Sequence, residues 1–190
     1  MEPLTETTLR SEQLVDGRLL NVYRDTVRLA DGTETVREWI SHPGAAAVVP
    51  LFEDGSTLMV RQFRYAPRRT MLEVPAGKID REGEEPKEVA ARELEEETGW
   101  RALRLTLLGS LYPCIGYSNE VIHYYLAEEL SRSRQALDPG ECIEVVSMPF
   151  DEAVAMARRG DLSDMKTVTA LLMADAYVQG DAEITKKKLH

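Results

Sequence analysis

The sequence predicts an α/β fold in which a mixed β-sheet lies between helices, with a small antiparallel β subdomain at the N-terminus. Three observations support this prediction. Short segments rich in alternating or β-branched residues recur along the chain, and two pairs of them flank Asp-Gly turns. Three longer segments have apolar residues at helical spacing, and each ends at a glycine. A chain of 190 residues that is 43% hydrophobic can also form one packed domain with an appendage.

The N-terminal subdomain is predicted to comprise residues 1–43. Segments 20–29 and 34–41 have the composition of strands, and they flank Asp31-Gly32, which is a strong signal for a hairpin turn. We therefore expect two antiparallel strands in this part of the chain.

The main domain is predicted to comprise residues 44–180, with several strands and three helices. Strands are expected at 45–52, 57–65, 72–74, 103–112 and 120–128. Helices are expected at 86–99, 150–159 and 166–179. The remaining segment, 181–190, contains three consecutive lysines and is expected to be a frayed tail.

The first predicted helix carries a cluster of carboxylates in its last turns. Pro86 suits the first helical position, and Gly99 suits the residue that follows a helix. At about 100° per residue, Glu93, Glu96 and Glu97 lie within an arc of roughly 100°. Their repulsion and the negative end of the helix dipole each cost from a few tenths to about 1 kcal/mol. A divalent cation such as Mg²⁺ would offset this cost, whereas the alternative is a solvated acidic face.

Composition and charge argue against several other classes of protein. The net charge of −10 disfavours a partner that is nucleic acid, which needs a basic face. The sequence has neither an apolar run near 18 residues nor the features of a secretion signal, so we expect a cytoplasmic protein that does not bind membranes. Cys114 and Cys142 form neither a disulfide framework nor the signature of a thiol nucleophile. A small polyanionic substrate remains compatible, because it needs only local cations.

Residues 77–100 read GKIDREGEEPKEVAARELEEETGW, with Glu84 eight positions before Arg92. This segment resembles the Nudix box, in which Gly, an isolated Glu and an Arg-Glu-hydrophobic-x-Glu-Glu-x-Gly run follow one another at fixed spacing. The chain departs from the pattern at one place, since six residues rather than five separate Gly77 from Glu84. We expect the extra residue in the polar turn at 80–83.

The resemblance extends from about residue 37 to residue 172. The segments that carry it are SHPGAAAVV at 41–49, VRQFRY at 60–65, LEVPAG at 72–77, GYSNE at 116–120 and GDLSDMKT at 160–167. They are similar to the ADP-ribose pyrophosphatase branch of the Nudix hydrolases, which implies an α/β/α sandwich with a mixed sheet and cleavage of ADP-ribose to AMP and ribose 5-phosphate. Two alternatives are a hydrolase of another sugar nucleotide, such as GDP-mannose, and a non-catalytic regulator that binds nucleotide sugars.

The resemblance also assigns the metal site. It implies Mg²⁺, with Mn²⁺ as the alternative ion, bound by the carboxylates of Glu93, Glu96 and Glu97 and by the backbone carbonyl of Ala76. Arg92 would orient these carboxylates through charge-assisted hydrogen bonds. Such an ion can act as a Lewis acid and can position the attacking water.

The general base is expected on a late loop, in the segment DPGECIE at 138–144. Glu141 is the first choice because its position before the apolar pair Cys142-Ile143 is similar to the loop of this branch, and Glu144 is the second. An exposed acidic loop without a catalytic role is the alternative.

Substrate contacts are expected from both predicted domains. Arg64 resembles the phosphate-binding arginine of the branch, and a surface salt bridge is its alternative role. Arg37 and Trp39 are expected to contact the adenine. Because this region commonly reaches the partner subunit in the branch, a homodimer is expected, although Trp39 could equally serve in strand packing. Glu120 is expected near the ribose or the metal, or else as a cross-strand partner.

Overall fold

The computed structural model describes residues 4–137 and 140–180. Their contacts divide them into two compact units. The first unit contains the described residues up to Gly44 together with Tyr112–Val121, and the second contains Ala45–Leu111 and the described residues from Ile122 onward. The tail expected at 181–190 lies outside the described residues, as do residues 138 and 139 of the proposed base loop.

The first unit is built on a three-stranded antiparallel sheet in the order β1-β2-β3. Its strands are β1 (Thr7–Asp16), β2 (Asn21–Arg28) and β3 (Glu34–Ser41). The predicted Asp31-Gly32 hairpin joins β2 to β3, and Gly32 has the positive φ of 88° that this turn requires. The strand β1 was not predicted, because all ten of its residues are exposed and its sequence lacks the apolar alternation of a half-buried strand.

The segment Tyr112–Val121 is attached to the end of β3 by hydrogen bonds. The Ile40 N–H donates to the Tyr117 carbonyl oxygen at 2.7 Å, and the His42 N–H donates to Asn119 Oδ1 at 2.8 Å. These contacts join residues more than 70 positions apart, which explains why this segment groups with the first unit.

The second unit contains seven strands and three helices. The strands are β4 (Ala45–Pro50), β5 (Ser56–Arg64), β6 (Arg69–Glu73), β7 (Ala76–Lys78), β8 (Trp100–Leu111), β9 (Ile122–Arg132) and β10 (Ile143–Pro149). The helices are α1 (Pro86–Thr98), α2 (Phe150–Arg159) and α3 (Met165–Val178). One sheet has the order β7-β4-β9-β8 and is mixed, because β4 and β9 are parallel whereas the other pairs are antiparallel. The other sheet, β10-β5-β6, is antiparallel.

The mixed sheet is covered on both faces, as the alternation along β4 shows. Ala47 and Val49 belong to the core cluster that includes residues of α2 and α3. Ala46 and Val48 point to the opposite face and pack in a second cluster with residues of α1. The predicted fold, a mixed sheet between helices with an antiparallel N-terminal subdomain, is therefore confirmed. No helix in the described part of the chain is long and apolar enough to cross a membrane.

The acidic helix α1 has the boundaries that its sequence predicts. Pro86 is its first residue, and Glu88 accepts the Glu85 N–H at 3.0 Å in a capping interaction. Gly99 follows the helix with φ of 73°, and its N–H donates to the Glu95 carbonyl oxygen at 2.8 Å. The carboxylate cluster therefore lies in the last two turns of the helix.

Candidate metal and substrate site

The last turns of α1 pack directly against the start of β7. The Ala76 N–H donates to Glu97 Oε2 at 3.1 Å. At Gly77, an added Cβ atom would lie only 1.8 Å from Glu93 Oε1. Gly77 is thus required for close approach of the backbone to the carboxylate. The glycine that begins the box motif and the glutamates that end it meet at one place in the fold.

Glu97 is a buried carboxylate, with only 4% of the residue exposed. Burial raises the pKa of Glu97 to about 8, and the charge of Glu93 adds to this effect. Burial also raises the pKa of Glu93, although Arg92 opposes the shift. The surroundings of these two carboxylates therefore disfavour their charged forms. A divalent cation bound beside them would stabilise the charged forms.

Arg92 is the organising cation of the cluster. Its side chain is 14% exposed and lies 2.8 Å from Glu84, 2.7 Å from Glu93 and 2.9 Å from Glu96. The contact with Glu96 is the i, i+4 pair that the helical spacing makes available. Arg92 therefore orients carboxylates from the helix and from the preceding loop together.

The isolated glutamate of the motif reaches this cluster despite the additional residue in the loop. Glu84 accepts two hydrogen bonds from Arg92, at 2.8 Å from Nε and at 3.2 Å from Nη2. The turn before Glu84 contains Gly83 with φ of 77°, a conformation that glycine adopts readily. Glu84 therefore belongs to the cluster although six residues separate it from Gly77.

The donor set at the end of α1 fits a hard divalent cation. It consists of carboxylate oxygens beside the backbone of Ala76, and oxygen ligands are those that Mg²⁺ prefers. Within residues 4–137 and 140–180, no three His, Cys, Asp or Glu side chains are gathered closely enough to hold an ion as they stand. Arg92 contacts Glu93 Oε1 and Glu96 Oε2, so an ion bound here would share these two carboxylates with Arg92.

The two candidates for the general base differ in their surroundings. Burial is the main cause of the raised pKa values of Glu93 and Glu97, and the charge of Glu141 raises both pKa values further. Glu141 is therefore associated with the acidic cluster. Glu144 instead lies on β10, forms a 2.7 Å ion pair with Arg61 of β5 and has a side chain that is 64% exposed. The charge of Glu141 thus links this residue to the cluster.

Arg64 belongs to a second network of charges in the same unit. It donates from Nε and Nη2 to the two carboxylate oxygens of Glu73, both at 2.7 Å. Lys166 donates to the same carboxylate at 3.0 Å and to Asp164 at 2.9 Å. Arg64 thus forms a salt bridge, the alternative role considered for it, and the partner in this salt bridge is buried, since the Glu73 side chain is 3% exposed. Lys166 and Asp164 were not singled out from the sequence, and residues 73 and 166 are too far apart for any local spacing signal.

The remaining candidates belong to the first unit. The Trp39 indole donates to Asp25 Oδ2 at 3.0 Å, and its ring stacks on Tyr23 with centroids 5.1 Å apart. Arg37 is paired with Glu6 at 2.7 Å and 3.0 Å. Glu120 Oε1 lies 3.7 Å from His42 Nδ1. Trp39 thus has a packing role in its own strand pair, and Arg37 forms an exposed ion pair.

Comparison with protein families decides the identity of the fold. The model of the NUDIX domain matches residues 41–172. The chain belongs to the Nudix family. A second model, of the nucleoside diphosphate sugar hydrolase N-terminal domain, matches residues 6–40 of this Nudix protein. The family resemblance predicted from the sequence is confirmed.

Individual relatives cover almost the whole chain. The ADP-ribose pyrophosphatase of Bacillus subtilis (strain 168) is 39% identical over 173 residues, which cover 90% of this chain and 93% of that protein. A GDP-mannose pyrophosphatase of Yersinia enterocolitica is 32% identical over 184 residues, covering 89% of this chain and 94% of that protein. A solved structure described as an ADP compounds hydrolase superposes with a TM-score of 0.82 at 24% identity, covering 95% of this chain and 98% of that one. This last similarity shows that the fold is shared.

Proposed function

We propose that this Nudix hydrolase cleaves the pyrophosphate bond of a nucleoside diphosphate sugar, and that its substrate is ADP-ribose, which yields AMP and ribose 5-phosphate. The observation that carries the proposal is the pair of carboxylates of Glu93 and Glu97 at the end of α1, whose pKa values burial raises and one of which, Glu97, contacts the Ala76 backbone. The near full-length similarity to an ADP-ribose pyrophosphatase supports the choice of substrate.

The carboxylates of Glu93, Glu96 and Glu97 and the Ala76 carbonyl would hold Mg²⁺, or Mn²⁺ in its place. The bound ion supplies Lewis-acid activation of the phosphoryl oxygens and a position for the nucleophilic water. Arg92 contacts both Glu93 and Glu96 and would hold their carboxylates in place for the ion. Its role is to position these side chains.

Glu141 is proposed to take the proton from the attacking water. A new P–O bond forms to the water oxygen while the bridging P–O bond breaks, and the proton moves to the Glu141 carboxylate. General base catalysis of this kind contributes roughly 10²- to 10⁴-fold to the rate. The electrostatic link of Glu141 to Glu93 and Glu97 supports this assignment over Glu144, which is engaged by Arg61.

Arg64 is proposed to bind a phosphate of the substrate. Of the five N–H groups of its guanidinium, Glu73 accepts two, and the side chain is 43% exposed. The hydrogen bonds of Arg64 to side chains in the described part of the protein both go to Glu73, so N–H groups remain for a phosphate.

The first unit is proposed to recognise the nucleoside and to mediate dimerisation. The Trp39 indole is held by Asp25 and by stacking on Tyr23, which gives an aromatic surface with a fixed orientation for a base. Arg37 is proposed to contact the adenine and Glu120 the ribose. The family model of a nucleoside diphosphate sugar hydrolase N-terminal domain over residues 6–40 supports a substrate-related role for this unit. We also propose a homodimer, a cytoplasmic location and no nucleic-acid partner, the last on the basis of the net charge of −10.

A GDP-mannose hydrolase is the second candidate function, because a GDP-mannose pyrophosphatase aligns along most of the chain. The two activities differ in the base and the sugar but share the diphosphate, so the metal site alone does not separate them. A regulator that binds nucleotide sugars without turnover is the alternative from another class.

A panel of substrates tests the proposal. ADP-ribose, GDP-mannose, ADP-glucose and diadenosine diphosphate are incubated at a fixed concentration of Mg²⁺, and the released nucleoside monophosphates are separated by chromatography. We expect the highest kcat/KM for ADP-ribose. A higher value for GDP-mannose would select the second candidate, and saturable binding without release of any monophosphate would identify a regulator.

A further inference from the structure

The buried carboxylate of Glu73 lies between two cations that come from distant parts of the second unit. Arg64 is the last residue of β5, and Lys166 is the second residue of α3. Both contact Glu73, Arg64 through two hydrogen bonds of 2.7 Å and Lys166 through one of 3.0 Å. A carboxylate that is 97% buried requires such partners to remain charged.

Lys166 is itself fixed in place by the start of α3. Its ammonium group is 2.9 Å from Asp164, the N-cap residue of that helix. Asp164 also accepts the N–H and the hydroxyl of Thr167, at 3.1 Å and 2.6 Å. The Thr167 hydroxyl oxygen in turn accepts the Val74 N–H at 2.9 Å. The start of α3 therefore holds both the Glu73 side chain and the backbone beside it.

This arrangement determines where the guanidinium of Arg64 can lie. A partly exposed arginine has many accessible rotamers, and ordering it when a ligand binds weakens affinity. The bidentate pair with Glu73 selects one orientation, and the contact of Lys166 with the same carboxylate prevents Glu73 from turning away. The N–H groups of Arg64 that Glu73 does not use are then presented before any substrate arrives.

We propose that Glu73 and Lys166 are positioning residues that hold Arg64 in the orientation in which it binds the diphosphate of the substrate. This inference rests on the proposed function, since it assumes that Arg64 contacts a nucleotide sugar. It extends the substrate site to the start of α3, which lies about 100 residues beyond Arg64 in the sequence. Neither residue needs to touch the substrate.

A double-mutant cycle tests the proposal by separating an effect exerted through Arg64 from one that is independent of it. KM and kcat for ADP-ribose are measured for wild type, E73Q, K166M, R64A and the two double variants R64A/E73Q and R64A/K166M. We expect E73Q and K166M each to raise KM about 10-fold with less than a 3-fold change in kcat. In the R64A background, the same substitutions should change KM by less than 2-fold.

Two further variants address folding and specificity of the effect. K166R keeps the positive charge, so its KM should lie much closer to the wild-type value than the raised KM of K166M. This comparison does not depend on E73Q being stable enough to study. R61Q removes another arginine of β5 whose ion pair with Glu144 is exposed, and it should leave KM within 2-fold of wild type.

The outcomes distinguish this inference from the proposed function. If the wild type turns over but the KM effects multiply in the double variants, the positioning role alone is overturned. The same follows if the rise in KM and the fall in kcat are equal in size and follow the melting temperature. Absence of wild-type turnover on every nucleotide sugar would overturn the proposed function and this inference with it.

Discussion

Replacing Glu97 by Gln should stabilise the metal-free protein while removing its activity. The substitution preserves the shape of the side chain and an oxygen that can accept the Ala76 N–H. It removes a carboxylate that burial and the charge of Glu93 make costly to ionise. A residue retained at the expense of stability in this way is typical of a functional site.

The magnitude follows from the pKa of Glu97. In the folded protein the pKa is about 8, compared with an ordinary value of 4.5. At roughly 1.36 kcal/mol per pKa unit, this difference in pKa destabilises the folded protein by about 5 kcal/mol at a pH where Glu97 is ionised in both the folded and the unfolded state. Between pH 4.5 and pH 8 the unfolded chain has released this proton and the folded chain still binds it, so stability falls as pH rises through this window.

Urea denaturation in the presence of EDTA measures this effect. The free energy of unfolding is determined from pH 5 to pH 9 for wild type and for E97Q, with E95Q as the matched control. Glu95 lies on the same helix but pairs with Arg101 and Ser133. The free energy of unfolding of E97Q should exceed that of wild type by an amount that grows by several kcal/mol across this pH range. The difference between E95Q and wild type should not vary with pH. A difference between E97Q and wild type that does not vary with pH would refute the reasoning.

Three other substitutions test separate parts of the site. G77A should reduce kcat by more than about 100-fold in a steady-state assay. Its Cβ would lie 1.8 Å from Glu93 Oε1, so the Glu93 side chain would be displaced, and misplacement of a group at a reacting centre is costly. Near-normal turnover would contradict this close approach. E141Q should reduce kcat by about 10²- to 10⁴-fold with little change in KM, while E144Q stays within 2-fold of wild type, and the reverse result would move the base to Glu144. R92A leaves three carboxylates without their cation, so thermal denaturation in EDTA should show that the free energy of unfolding falls by about 3 kcal/mol or more. If saturating Mg²⁺ does not reduce this loss of stability, the result would count against competition between Arg92 and the ion.

The sequence predicts the acidic helix well because its signals are local. Pro86 and Gly99 mark its two ends, and the spacing of Glu93, Glu96 and Glu97 places them on one side of it. The close approach of Gly77 to Glu93 is also consistent with the motif, since only glycine leaves room for the carboxylate.

Other parts of the structure depend on contacts that local sequence does not encode. The strand β1 is fully exposed, so it has no apolar periodicity. The sequence predicts a loop at 138–144, which overlaps the start of β10. This strand forms through its pairing with β5, where Glu144 lies opposite Arg61. Lys166 joins the charge network only because α3 packs its first turn beside Glu73, 93 residues away in the sequence.

The dependence of turnover on Mg²⁺ tests the central claim most directly. Release of AMP from ADP-ribose is followed while Mg²⁺ is titrated into wild type, E97Q and the control E95Q. We predict saturable activation of wild type and E95Q, and a rate at least 100-fold lower for E97Q at every concentration. Equal rates for wild type and E97Q, or turnover that persists in EDTA, would contradict the assignment of these carboxylates as the metal site.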